Sequence, residues 1–256
     1  MDYQEIILLK QGEIARITIN RPPVNVMTLN TIAELNQAFK GLREDPEVKV
    51  VLIRGNGERA FSAGVEVADH LGEKLPWMLE EFGRLFKSLR NVGKPVVAVV
   101  NGVALGGGCE LVAGCDMAIA SDKAKFGQPE IKLGVNPPPA SVLFPRIMGM
   151  KKALELILTG DSIDAWEAQR IGLVNKVVPH EELDQAAEEF GKRLLEKSGY
   201  ILKLTREAIY EVSEIGDYEK ALDLINCRSR KIMESDDAVE GLTSFLEKRK
   251  PVWRSG

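Results

Sequence analysis

The sequence predicts an α/β fold in which strands alternate with helices, followed by a region of helices alone. Short β-branched runs recur along the first two-thirds of the chain, separated by segments whose apolar residues fall at helical spacing; from Leu183 onward the spacing is helical throughout. With 256 residues, 45% of them apolar and 28% charged, the chain can bury a sizeable core. One large domain, or a main domain plus an appendage, fits that length.

In chain order, Ile14 to Ile19 alternates at period two and reads as a strand, and Thr31 to Leu42 reads as a helix through Ile32, Leu35, Ala38, Phe39 and Leu42. Val48 to Ile53 and Pro95 to Val100 are β-branched runs of the kind that pair inside a sheet. Cys109 to Ala113 opens as a helix after three glycines, and Met117 to Ala120 is a further strand. Lys151 to Leu158 is a helix stopped by Gly160, and Asp164 to Arg170 is a short one with Asp164 and Glu167 in capping-box positions. Leu173 to Val178 returns as a strand. Helices are then expected at Leu183 to Lys197, Ile201 to Glu214, Tyr218 to Glu234 and Ala238 to Lys248, the last capped by Asp237 and Glu240. The shift in composition near residues 196–200 divides a core, residues 1–195, from a helical C-terminal region, residues 196–256.

Formal net charge is −4 with the signs interspersed, so neither the basic stripe of a nucleic-acid binder nor a polybasic membrane tract is present. The start, Met1-Asp2-Tyr3-Gln4-Glu5, is acidic and leads into no signal-like apolar run, which makes the cytoplasm the expected compartment. Three cysteines, Cys109, Cys115 and Cys227, lack metal-ligand spacing and read as reduced, core-filling thiols. No metal or redox cofactor is implied.

The chemistry lies in two glycine-rich bends and two glutamates. Asn101-Gly102-Val103-Ala104-Leu105-Gly106-Gly107-Gly108-Cys109-Glu110 describes a strand, a turn and a helix whose first N–H groups are unpaired and favour developing negative charge. Bare glycines let a ligand carbonyl approach that backbone; the same pattern also serves tight helix–strand packing. It lacks the Lys-Ser/Thr ending of a phosphate-cradling loop and the dinucleotide fingerprint. Ala60-Phe61-Ser62-Ala63-Gly64-Val65-Glu66 is a second bend, whose Val65 N–H offers a second donor. Phe126-Gly127-Gln128-Pro129-Glu130 adds the second carboxylate, so that Glu110 and Glu130 form a candidate acid/base pair.

These three segments resemble the signatures of the crotonase (enoyl-CoA hydratase/isomerase) superfamily, and the resemblance runs from Asn20-Arg21-Pro22 to Glu240-Gly241-Leu242 and on to Arg249. It implies a spiral of repeated strand-strand-helix turns, with a helical C-terminal region that builds trimers, commonly paired into hexamers. It further implies an acyl-CoA thioester as substrate, with coenzyme A brought by the substrate rather than held as a cofactor. By the resemblance, the Val65 and Gly107 N–H groups hold the thioester oxygen while Glu110 and Glu130 move protons. Val24, Val26, Ala63, Val67, Gly106, Pro129 and Pro138 line the substrate, and Phe245 and Lys248 help hold the CoA nucleotide across a subunit boundary.

One stretch departs from the family pattern. Asn136-Pro137-Pro138-Pro139-Ala140 replaces a glycine-rich loop, and Pro138 stands where a glycine N–H helps hold water; proline has none. An apolar three-proline wall suggests a bulky or cyclic acyl group. Together with Val67-Ala68-Asp69-His70 and the ending Lys250-Pro251-Val252-Trp253, it most resembles the cyclohexa-1,5-diene-1-carbonyl-CoA hydratases of anaerobic benzoyl-CoA degradation. The alternatives are a general enoyl-CoA hydratase, a double-bond isomerase, and an acyl-CoA binding protein. Trp77 and Met78 are expected to cover the acyl end, His180 and Asp69 to face water, and Asp116 to be a structural acceptor. Ser62 lacks a histidine partner for a triad.

Overall fold

The computed structural model describes residues 3–254. Two antiparallel strands, β1 (Ile6–Gln11) and β2 (Ile14–Ile19), lead to helix α1 (Leu29–Glu44), whose N-cap Thr28 exchanges capping-box hydrogen bonds with Thr31. Three strand-strand-helix turns follow. They are β3 (Val50–Gly55), β4 (Ala60–Ser62) and α2 (Lys74–Asn91); β5 (Val96–Val100), β6 (Val103–Leu105) and α3 (Gly107–Gly114); and β7 (Met117–Ser121), β8 (Lys125–Gly127) and α4 (Pro138–Met148). Then come α5 (Met150–Thr159), β9 (Ser162–Asp164), α6 (Ala165–Arg170), β10 (Lys176–Val178) and α7 (Leu183–Leu195). Helices α8 (Gly199–Val212), α9 (Tyr218–Met233) and α10 (Asp236–Leu246) end the chain.

In each turn the first strand enters one sheet and the second enters another. The larger sheet has the order β1-β2-β3-β5-β7-β10 and the smaller β4-β6-β8-β9. This is the spiral that the family resemblance implies. From β2 to β10 the larger sheet is parallel and covered on both faces, which explains its continuous apolar runs. Val51 and Ile53 of β3 face the main core with Ile17, Ala98 and Phe39, while Val50 and Leu52 face Leu183, Ala186 and Ala187 of α7.

The C-terminal region is tied down by one buried cation. Arg206 of α8 donates to Asp116 (2.8 and 2.9 Å) and to the Leu89 and Arg90 carbonyls (2.9 and 2.7 Å) that end α2, and Tyr210 Oη donates to Asp116 at 2.6 Å. Asp116 is therefore the structural acceptor expected. Helix α9 buries none of its residues within the chain, and Leu242, Phe245 and Leu246 of α10 are exposed.

Several expectations are corrected. Strands β4, β6, β8 and β9 have three residues each, too few to display an alternation, and β1 was not anticipated. Helix α2, absent from the sequence reading, buries a stripe of Met78, Phe82, Leu85 and Leu89, with Glu81 beside it, under a polar surface. Met78 is thus core, whereas Trp77 is exposed. The three prolines do not form a wall of loop: Pro138 and Pro139 start α4, where a missing N–H costs nothing. Only Lys176–Val178 of the expected strand at 173–178 pairs. Ser235, not Asp237, caps α10; Asp237 is buried and accepts instead from Ser198 Oγ and the Arg254 N–H. Cys227 is exposed, unlike Cys109 and Cys115.

Candidate active site

Strands β4, β6 and β8 pair in parallel, with Ser62 beside Ala104, Ala104 beside Phe126, and Leu105 beside Gly127. Each of the three sequence motifs leaves the small sheet at the same end, where ligands usually sit in α/β folds. Successive turns of the spiral therefore stack segments that are about forty and twenty residues apart in sequence.

The first bend depends on Gly64, with φ 114°, a conformation closed to other residues without strain. Ser62 Oγ accepts from the Gly64 N–H at 3.2 Å, so this hydroxyl builds the turn. Val65 then pairs with Met27: the Met27 N–H donates to Gly64 O (2.8 Å) and the Glu66 N–H to Met27 O (2.9 Å). A parallel bridge of that pattern leaves the Val65 N–H on the opposite side of the strand. A Cβ placed on Gly64 would lie 3.7 Å from the Gly107 nitrogen, which shows how closely the two donor segments approach. Ala63 N–H donates to Val24 O at 2.9 Å, and Arg21 holds Val26 O at 2.7 Å, which ties the segment carrying Val24 and Val26 to the bend. Val67 is exposed on the following short turn.

Three glycines open α3, each for a different close contact. A Cβ on Gly106 would meet Glu130 Oε1 at 2.8 Å; on Gly107, Val65 Cγ2 at 2.7 Å and Phe82 Cζ at 3.0 Å; on Gly108, Ser62 O at 2.2 Å. The bare backbone lets the carboxylate of Glu130, the Val65 strand and the helix start share one small volume.

Glu110 is 2% exposed, and its Oε1 accepts the Ala140 N–H at 2.8 Å. Burial pushes its carboxyl from 4.5 up to about 8; the Ala140 N–H opposes that rise and the charge of Glu130 adds to it. Glu130 follows Pro129 on a short 3-10 turn and is half-buried; its carboxyl too is raised by burial. A buried and a half-buried carboxyl, both with elevated proton affinity, beside the backbone N–H groups of a helix start are suited to proton transfer near a developing oxyanion.

Two contributors were missed in the sequence. After three consecutive prolines the first N–H available is that of Ala140, and it goes to Glu110. Gln128 is fully buried with its amide end among three acceptors, Glu130 Oε2 and Oε1 and Gly106 O; with the amide turned so that its nitrogen faces them, it donates over 3.1, 3.2 and 3.2 Å. A polar residue between two glycines and a proline next to Glu130 was the available signal.

Glu110, Glu130, Val65, Gly106 and Gly107 are thus brought together, with Pro129 next to Glu130, while Pro138 lies two residues before the Ala140 that bonds Glu110. Phe245 and Lys248 are carried at the end of α10, which packs on α8 and α9, and Phe245 is 82% exposed. Asp69 is not turned to water: it is 5% exposed, accepts from the Leu29 N–H and pairs with Lys74. His180 is bonded rather than free, joining Ser121 Oγ at 2.9 Å and Glu58. His70 Nδ1 lies 3.0 Å from Glu66 O. Burial pushes the Cys109 thiol far up, so it is an inert packing group. A groove of about 1000 Å³ runs between α2 and α4, walled by Phe82, Phe86, Pro138 and Leu143 and reaching Asp116 and Tyr210; neither Glu110 nor Glu130 lines it.

The profile of the family described as enoyl-CoA hydratase/isomerase matches residues 10–256. A crotonyl-CoA hydratase of Syntrophomonas wolfei is 40% identical over 257 residues, covering 98% of each chain. A short-chain-enoyl-CoA hydratase of Clostridium acetobutylicum is 37% identical over 256 residues, covering 98% of this chain and 97% of that one. Among solved structures, an enoyl-CoA hydratase from Bacillus anthracis superposes with a TM-score of 0.92 at 30% identity, covering 99% of this chain and 100% of the other.

Proposed function

Because the chain belongs to the enoyl-CoA hydratase/isomerase family, we propose that Glu110 and Glu130 add water across the conjugated double bond of an enoyl- or dienoyl-CoA. The protein is an enzyme of the hydro-lyase type. The observation that carries the site assignment is the meeting of a buried and a half-buried carboxyl, both with raised proton affinity, at glycine-lined backbone next to the Val65 bend.

In this mechanism the thioester oxygen accepts from the Val65 and Gly107 N–H groups. Water oxygen bonds to the β-carbon as one carboxylate takes its proton, and the electron pair of the alkene moves toward the thioester oxygen. The second carboxyl then delivers a proton to carbon, so the product gains one water and the pair ends with the proton count it began with. Glu110, the more deeply buried and hence the stronger base when ionised, takes the water proton, and Glu130 supplies carbon. With Pro138 and Pro139 lacking N–H groups and Ala140 committed to Glu110, the two carboxyls hold the water between them.

The acyl group extends toward Phe82 and Pro138. A rigid proline start to α4 supports a ring substrate, cyclohexa-1,5-diene-1-carbonyl-CoA, hydrated to 6-hydroxycyclohex-1-ene-1-carbonyl-CoA in aromatic degradation. The names of the relatives, a crotonyl-CoA hydratase and a short-chain-enoyl-CoA hydratase, support a second reading, a short linear enoyl-CoA. Residues 196–256 are assigned to assembly of a homotrimer or a hexamer, in which exposed Phe245 and Lys248 reach the CoA nucleotide of a neighbouring copy. No helix among the described residues is long and apolar enough to cross a membrane, and we place the enzyme in the cytoplasm.

Mass-resolved turnover on cyclohexa-1,5-diene-1-carbonyl-CoA, cyclohex-1-ene-1-carbonyl-CoA and crotonyl-CoA tests this. A gain of one water on the diene alone establishes the ring substrate, and preference for crotonyl-CoA establishes the linear one. Rearrangement without a gain of mass would replace hydration by isomerisation, and binding without turnover would replace both by a carrier.

A further inference from the structure

We propose that the cavity between the end of α1, the α2–β5 corner and α8 is a binding site for a phosphate dianion, held by Arg43, Lys94 and Lys203. The cavity, of about 270 Å³, is lined by the cations Arg43, Arg90, Lys94 and Lys203 and by the carboxylates Glu207 and Glu211. It lies apart from the catalytic pair, since Lys94 precedes β5 whereas Gly107 and Glu110 come only after β5 and β6. In a chain of formal net charge −4 it is a local excess of positive charge.

The C-terminal ends of α1 and α2 converge here, and helix ends attract cations. That demand is already met: Lys94 Nζ donates to Leu42 O at 2.5 Å and Arg43 O at 3.4 Å, and Arg206 donates to the last carbonyls of α2. Arg90 pairs with Glu214 at 2.7 Å, and Glu211 accepts from Arg228 at 2.8 Å. Asp45, the other carboxylate acting on Lys94, is held by Lys10. Among the described residues neither Arg43 nor Lys203 has an ion-pair partner. Arg43, Lys94 and Lys203 are thus set against Glu207 alone, a surplus that matches a dianion. The stem of Lys203 is laid along bare backbone beside Lys94: a Cβ on Gly93 would lie 3.4, 3.6 and 3.7 Å from its Cε, Cδ and Cγ. Burial lowers the proton affinity of Lys94, Asp45 opposes this and Lys203 adds to it, and a bound anion would relieve both penalties. Lys94 keeps a third N–H, Lys203 its ammonium and Arg43 its guanidinium fork to meet phosphate oxygens. The volume leaves room beyond one phosphate group, so a phosphate monoester fits as well as the free ion.

Isothermal titration calorimetry of the full chain at neutral pH and fixed ionic strength, with inorganic phosphate and ribose 5-phosphate as probes, tests the site. One saturable site per chain is expected, with a Kd at or below about 1 mM. Lys203→Met and Arg43→Met remove exposed side chains that bond nothing in the fold, and each should weaken binding about tenfold or more, as for a lost charge-assisted hydrogen bond. Tighter binding of ribose 5-phosphate assigns the site to an ester, and tighter binding of inorganic phosphate to the free ion. The Lys94 Cε resonance, identified by its loss in Lys94→Arg, should titrate at higher pH with the probe bound than without it. Absence of saturable binding, wild-type affinity in both variants, or an unmoved Lys94 titration would overturn the proposal. Displacement of the probe by coenzyme A would also overturn it, by giving the anion to the substrate's own phosphates.

Discussion

Replacing Glu110 by Gln should make the protein more stable, and increasingly so as pH rises. The glutamine keeps the shape of the side chain and an oxygen to accept the Ala140 N–H, but removes a charge that burial disfavours. The carboxyl titrates at about 8 in the folded chain against 4.5 in the unfolded one. A folded-state value above the unfolded value means that the folded protein binds the extra proton, so wild-type stability falls as pH rises from about 4.5 and levels off above about 8. At about 1.4 kcal/mol per pH unit, the penalty is about 1 kcal/mol at pH 5, about 3 at pH 7 and approaching 5 at pH 9. Urea unfolding of both proteins at those three pH values, at one fixed protein concentration, measures the difference. The gap in favour of Glu110→Gln should widen by about 4 kcal/mol from pH 5 to pH 9. A gap that stays constant with pH would refute the claim that burial holds a proton on Glu110.

The same pair predicts a bell-shaped kcat/KM profile: the reaction needs one proton shared between the two carboxyls, so activity falls on the basic side near pH 8, where the pair gives up that proton, and a steady-state pH series should find that limb moved in Glu110→Gln. Gly107→Ala puts a Cβ 2.7 Å from Val65 Cγ2 and 3.0 Å from Phe82 Cζ, and displacement of both oxyanion donors should lower kcat about 100- to 1,000-fold in turnover assays. Arg206→Met leaves Asp116 without its cation between α8 and the core, and urea unfolding should register a loss of about 3–5 kcal/mol. Pro138→Gly restores an N–H near the water, and the ratio of kcat/KM for crotonyl-CoA over the ring diene should rise about tenfold, one hydrogen bond's worth.

The long elements were legible because they bury a regular stripe or a continuous run: β2 matches Ile14 to Ile19, and α7 to α10 fall within a few residues of expectation. The small sheet was not, because three-residue strands carry no periodicity and are held by their neighbours in the spiral. Within the site, the motifs gave Glu110, Glu130, Val65 and Gly107, whose convergence follows from strand register. What stayed hidden was side-chain partnership. Nothing local marks Asp69 as the acceptor of the Leu29 N–H, or Asp237 as the partner of Ser198, since both acceptors act across long stretches of chain. Likewise the proline run reads as rigid apolar surface, and only the helix it starts reveals that Ala140 orients Glu110.

The central claim, that Glu110 and Glu130 together add water to an enoyl thioester, is tested most directly by turnover in ¹⁸O-labelled water. Wild-type protein should incorporate one ¹⁸O into the hydroxyacyl-CoA product, and Glu110→Gln and Glu130→Gln should each lose about 10²–10⁴-fold in that rate. A product of unchanged mass, or full ¹⁸O incorporation by either variant at the wild-type rate, would contradict the account.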